Sequence, residues 1–481
     1  MNNLPTDVFQ GLVAFAWIDF DDLKNLRLTS KPLYSATDQA FWTNQLVKVI
    51  IDGESDNEAP LAKLEAFVAK PGFAGRIQRL ELDVSILELE REAMKRTREI
   101  LGDGVRALKG LRSVSLDVSG SDPEWAPDTI CEALATLPLL SSLSIKASYM
   151  QYDLPPSPLH LFTSSPTDPS LYIQPLRALL TSNPNLAHLD LQFHPQFTLP
   201  VAPFSDLFTV AFSKPLRLES LTLLGWTVDF TPHVLPHIRG LRTLKFLDQR
   251  ERIGASCWDV LRSSGIHLRH IKVYNPGPGF VDYMSSFSGL EILDIQETWV
   301  VEQEESDRLA RRFYEDALPK HQATLQEVTI SCLGLRLWNF GTWNSSAFDK
   351  CTKLVSLRVT VSQDDILASE DPEVNIVVSL LSLSVSHTKV SLNIQGTLVK
   401  HALTLVGLRT LEVTPAFNPR NYGGLLSITA ALRAVDNIVE GLKLALKGPP
   451  LLTTLIRAGL GKHTAEVVSE GEVRYKFVPN D

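Results

Sequence analysis

The sequence predicts an α/β chain: a short, all-helical N-terminal segment followed by an irregular array in which short parallel strands form an inner ribbon and helices return along the outside. Three observations predict it. A Leu-x-x-Leu-x-Leu unit recurs in about twelve copies, with a period of about 30 residues. Within each copy apolar and polar residues alternate, which is the pattern of a half-buried strand. Ahead of the first copy, residues 1–45 carry apolar residues at helical spacing instead.

Leu4 and Pro5 open the helical segment, and Val8, Leu12 and Phe15 continue it on one face. Pro5 suits a first helical turn because its missing amide would lack a partner there anyway. Asp19, Asp21 and Asp22 favour a second helix N-terminus, with Asp22 as its N-cap. Leu23, Leu26 and Leu28 then resume the stripe, and Phe41-Trp42 closes it. Residues 46–76 combine the polar run 52–58, a helix-like 61–68 and Pro71-Gly72, and are expected to form a junction.

The repeats follow from 77 to 414. Clear copies begin at Leu111, Leu140, Leu186, Leu218, Leu241, Leu268, Leu290, Leu325, Leu354 and Leu408, with weaker ones at Ile77 and at 389–394. Several returns read as amphipathic helices, at 128–137, 256–263, 280–287 and 306–318. Residues 149–184, with six prolines from Pro155 to Pro175, are expected to be a surface insertion. Residues 415–481 are expected to hold a last repeat and cap the array.

The order Leu4-Pro5, Asp22-Leu23, Leu26-Arg27-Leu28-Thr29-Ser30-Lys31 and Phe41-Trp42 resembles an F-box, and the array behind it resembles the divergent leucine-rich repeats of fungal-type F-box proteins. That resemblance implies docking to a Skp-family adaptor of a cullin complex through Leu4, Pro5, Val8, Leu12, Leu23, Leu26, Leu28 and Trp42. It implies a substrate-recognition subunit of an SCF-type ubiquitin ligase, with an unknown protein substrate on the repeats. A leucine-rich-repeat interaction scaffold with no ligase role is the alternative.

Composition narrows the partners. A net charge of −9 argues against broad binding to nucleic acid or anionic membranes, and no apolar run approaches the ~18 residues of a membrane span. The N-terminus shows no secretory pattern. The four cysteines, Cys131, Cys257, Cys332 and Cys351, are widely spread with no paired spacing, so a reducing compartment, cytoplasmic or nuclear, is expected.

Catalytic patterns are missing as well. No phosphate-binding glycine loop, zinc-protease pair or serine-nucleophile elbow occurs. Pro276-Gly277-Pro278-Gly279 reads as a loop, since its prolines remove the amides that would cradle a phosphate. His233 and His237 lack a third ligand. The chain is expected to be a non-enzyme without cofactors. If the third, fifth and seventh positions of each unit face out from the ribbon, the candidate target-binding residues are His188, Asp190, Gln192, Lys245, His270, Lys272, Tyr274, Asp294, Gln296 and Arg358. Trp226 and Trp299, just beyond their strands, are expected to be packing residues.

Overall fold

Each strand begins two residues after the first apolar residue of its unit, because the alternating half of Leu-x-x-Leu-x-Leu is the part that pairs. The computed structural model describes residues 20–29, 31–52, 58–85, 91–119, 125–148, 170–193, 202–247, 255–297, 303–332, 337–341, 343–348, 350–362, 410–416, 443–445, 455–458, 461–469 and 472–478. They fall into two units, Met1–Leu241 and Arg242–Asp481. The fold is α/β, as expected, with parallel strands alternating with helices or helical turns.

The first unit opens with two helices, Phe20–Thr29 and Lys31–Asn44, followed by six parallel strands paired in chain order. These are β1 (Leu46–Asp52), β2 (Arg79–Ser85), β3 (Ser113–Ser119), β4 (Ser142–Ser148), β5 (His188–Phe193) and β6 (Ser220–Leu224). Equivalent positions stand opposite one another: Leu80, Val114, Leu143, Leu189 and Leu221 form one inward row, and Leu82, Leu116, Ile145, Leu191 and Leu223 the next. All ten are buried. Burying each such side chain contributes of order 2 kcal/mol, so the ladder of leucines accounts for much of the core.

Two expectations about the first unit need correction. The 46–76 stretch, expected to be a junction, supplies β1, paired along its whole length with β2, and a helix Glu58–Ala69 that buries Leu61, Leu64 and Phe67. Its unit escaped the pattern because Asn44 stands in the first apolar slot, although Val47, Val49 and Ile51 alternate correctly and are buried. The second half of the proline-rich insertion is likewise a return helix, Ser170–Ser182, which buries Tyr172, Leu176, Leu179 and Leu180. Pro175 inside that helix concealed an otherwise regular helical spacing. Residues 149–169 lie outside the described residues.

In the second unit β7 (Thr243–Phe246), β8 (His270–Tyr274), β9 (Ile292–Glu297), β10 (Glu327–Cys332), β11 (Ser356–Ser362) and β12 (Thr410–Ala416) again pair in parallel and in order. β13 (Lys443–Ala445) precedes β14 (Leu455–Ala458), which continues the parallel order beside β12. From there the direction changes. β15 (Gly461–Ser469) runs antiparallel to β14, β16 (Glu472–Val478) to β15, and β13 to β16. The weak copy at 389–394 lies outside the described residues.

Among the described residues, the helical returns of this unit include Ala255–Ser263, Pro278–Met284 and Gln303–Arg312. The last was expected to run to Leu318. Instead it widens into a π turn at Phe313–Ala317 and tightens into a 3-10 turn at Leu318–Lys320, which turns Phe313, Tyr314, Ala317 and Leu318 all inward.

A repeated hydrogen bond sets the register. The carbonyl of the second residue in a unit accepts the N–H groups of the second and third residues of the next. Gln78 accepts Arg112 and Ser113, Arg112 accepts Ser141 and Ser142, Ser141 accepts Ala187 and His188, and Ala187 accepts Glu219 and Ser220, all at 2.8–3.1 Å. In the second unit Arg242, Arg269, Glu291 and Gln326 do the same at 2.7–3.2 Å.

Close approach fixes glycine at three described places, Gly104, Gly110 and Gly225. At Gly104 an added Cβ would lie 2.8 Å from Leu64 Cβ, where the helix Arg91–Ala107 crosses Glu58–Ala69. At Gly225, just after β6, φ is +80° and a Cβ would lie 1.9 Å from the Phe193 carbonyl oxygen. Gly225→Ala is expected to destabilise the protein by about 3 kcal/mol, combining left-handed strain with a backbone clash that only movement of β5 can relieve. Thermal unfolding checks this; a midpoint within a degree of the unmodified protein would contradict it.

Candidate functional site

Two surfaces can be assessed, the N-terminal helices and the outward face of the strands. Leu4, Pro5, Val8 and Leu12 lie outside the described residues. Leu23, Leu26 and Leu28 fall on the helix Phe20–Thr29, and Leu28 is 81% exposed. Trp42 sits near the end of the helix Lys31–Asn44, where its ring meets Phe41 and Phe73 edge-on at 5.2 and 5.3 Å.

Trp42 belongs to a cluster that sequence reasoning missed. The Arg27 guanidinium lies 4.4 Å from the Tyr34 ring centroid and 3.8 Å from that of Phe41, and it donates to Asp38 at 2.8 Å. Asp38 also accepts the Trp42 indole N–H at 3.1 Å and pairs with Arg76 at 3.4 Å. One half-buried carboxylate therefore ties both helices to the loop before β2. Bonds of this kind, with a charged donor or acceptor, are the stronger class. Arg27 and Asp38 are eleven residues apart, too far for helical pairing rules, so no local spacing announced them.

On the first unit's strands His188 is exposed, while Asp190 and Gln192 are half-buried. Asp190 accepts from Ser144 Oγ at 3.1 Å and from Gln192 Nε2 at 2.9 and 3.0 Å. The predicted side chains are thus adjacent, and the carboxylate is already satisfied.

The second unit's face brings most of the other predicted residues together. Across β7, β8, β9, β10, β11 and β12, register places Lys245, Lys272, Asp294, Thr329, Arg358 and Glu412 in one row. Beside it, Tyr274 pairs with Gln296 and His270 with Ile292. Lys272 Nζ is 2.8 Å from Asp294 Oδ2 and 5.8 Å from the Tyr274 ring centroid. Gln296 Nε2 also donates to Asp294, at 3.2 Å. Burial, with Lys245 next in order, pushes the His270 pKa down to about 4, so the ring is neutral at pH 7.

Other conspicuous side chains serve the core. Cys131, Cys257, Cys332 and Cys351 are buried, and burial pushes the Cys131 thiol up to about 12. Trp226 is buried against Phe193 and Phe204, as expected for packing, whereas Trp299 lies outside the described residues. His237 accepts the Leu216 N–H at Nδ1 at 3.0 Å, and His233 is exposed. His321 accepts the Leu290 N–H at Nδ1 and donates from Nε2 to the Met284 carbonyl at 3.0 Å. Tyr283 similarly donates to Ile266 and accepts from Leu268. These three rings tie a return to the start of a unit. Among the described residues no group of His, Cys, Asp and Glu could hold a metal, and no helix is long and apolar enough to cross a membrane.

No family model and no curated protein matches the sequence. Among solved structures the chain is similar to the crystal structure of the Rad7 and Elc1 complex in yeast, at 13% identity and a TM-score of 0.40, over 85% of this chain and 87% of that one. The fold assignment rests on the strand register above, not on that likeness.

Burial pushes both His237 and His321 down to about 4, from an ordinary 6.5. The unfolded chain therefore takes up these protons first. Stability is full above pH 6.5 and falls as pH drops toward 4, by about 1.4 kcal/mol per pH unit for each ring. Unfolding midpoints measured from pH 7 to pH 4.5 check this, and His321→Gln should flatten the slope while lowering the midpoint at pH 7. An unchanged slope in the variant would contradict the assignment.

Proposed function

We propose that the chain is the recognition subunit of an SCF-type cullin ubiquitin ligase, docking on a Skp-family adaptor through its N-terminal helices and holding a protein target on its repeats. Leu28 carries the reading. It is 81% exposed, which leaves an apolar side chain open to a partner, and it lies within the run Leu26-Arg27-Leu28-Thr29-Ser30-Lys31 that resembles an F-box. The Arg27–Asp38–Arg76 cluster ties that helix to the loop before β2, so an adaptor bound there would be held close to the first repeats. Such a subunit needs no catalytic group of its own; it raises the local concentration of target near the groups that transfer ubiquitin.

One observation favours the scaffold alternative. Trp42, expected at the adaptor interface, is engaged with Phe73 and Asp38 within the chain, as it would be in a helical cap.

Co-purification of the full chain with a Skp-family adaptor separates the two. Leu28→Asp should weaken adaptor binding at least about 100-fold, in the range of a lost hot spot, and leave the unfolding midpoint unchanged. Leu139→Asp, at another exposed leucine, should bind normally. If the unmodified chain binds no adaptor, the scaffold reading replaces this one.

A further inference from the structure

On the second unit's strand face, the central row carries charges of both signs that are unevenly paired among the described residues. Asp294 is held by Lys272 and by Gln296, so both of its oxygens are used. In register, Arg358 of β11 is the partner of Glu412 of β12. Lys245, half-buried on β7, stands opposite Lys272, another cation, and no carboxylate among the described residues pairs with it. Asp294 is two strands away, about 10 Å by ordinary sheet spacing, and already engaged.

Register and strand parity thus gather three groups on one face: Lys245, Lys272 opposite it on the adjacent strand, and the neutral His270 two residues before Lys272. Lys272 and Asp294 have side chains only 22% and 19% exposed, so an anion placed there would meet less water than at an open surface. Two lysines and one aspartate leave one positive charge uncancelled, on a chain whose net charge is −9. Acidic protein surfaces usually repel acidic partners, so a local positive site inside the strand face selects for position as well as for sign.

We infer that Lys245, Lys272 and His270 form a subsite for a carboxylate side chain of an acidic segment in the protein target. The carboxylate bridges the two ammonium groups and accepts from the His270 N–H, completing on β7 the pairing that Asp294 provides on β9. Tyr274, beside Lys272, supplies an aromatic wall for the segment's backbone. This inference rests on the reading of the repeats as the target-holding part, and it is independent of the adaptor.

A fluorescein-labelled hexaglutamate peptide tests it by anisotropy with the full chain at pH 7 and 50 mM salt, beside hexaglutamine. The expected result is binding of hexaglutamate alone, weakened about tenfold by Lys245→Ala or Lys272→Ala, and tightened several-fold by Asp294→Asn, which removes the internal competitor. Lys146→Ala, at an exposed lysine on β4, should leave it unchanged. Equal loss from Lys146→Ala and Lys245→Ala, or no binding of hexaglutamate, would overturn the subsite. Because Lys245→Ala should still co-purify with a Skp-family adaptor, failure of the subsite and failure of the ligase reading give different results.

Discussion

A single carbonyl in each unit governs this fold. By accepting two N–H groups from the following unit, it satisfies the donors that precede β3–β6 and β8–β11 and marks where those strands start. Burial of the leucine rows enforces the same register. A shift of one residue would leave the strands paired yet turn the leucines outward, and the two-donor contact excludes that shift. The inward rows of leucine and the outward rows of polar side chains are both consequences of this register.

The same constraint explains what the sequence revealed. Ten leucines from Leu111 to Leu408 each mark a strand two residues ahead, since the first slot and the alternation after it are read by one geometry. Where another residue took that slot, as Asn44 does, the strand was overlooked although Val47, Val49 and Ile51 alternate correctly. Prolines misled in a different way. Pro175 was read as loop chemistry, but Tyr172, Leu176, Leu179 and Leu180 supply enough burial to hold a helix around it.

The candidate sites were legible in part. Outward positions follow from strand parity, so Asp190, Lys272, Asp294 and Gln296 could be named together. Their partners could not, because Lys272–Asp294 depends on which strands become neighbours, and Arg27–Asp38–Arg76 joins two helices to a loop nearly forty residues later. The sequence placed Trp42 in a motif without disclosing which side of the helix it serves. That side was decided by Phe73, in a stretch read as a connector.

The tie at Asp38 has a mechanical consequence. Arg76 belongs to the loop leading into β2, so the helices, which run on directly into β1, are fastened to the approach of the second strand as well. A load applied at Leu28 would be shared between β1, through the chain, and the start of β2, through the ion pair. The N-terminal helices are thus joined to the array at two points, and whatever grips them grips the first repeats as well.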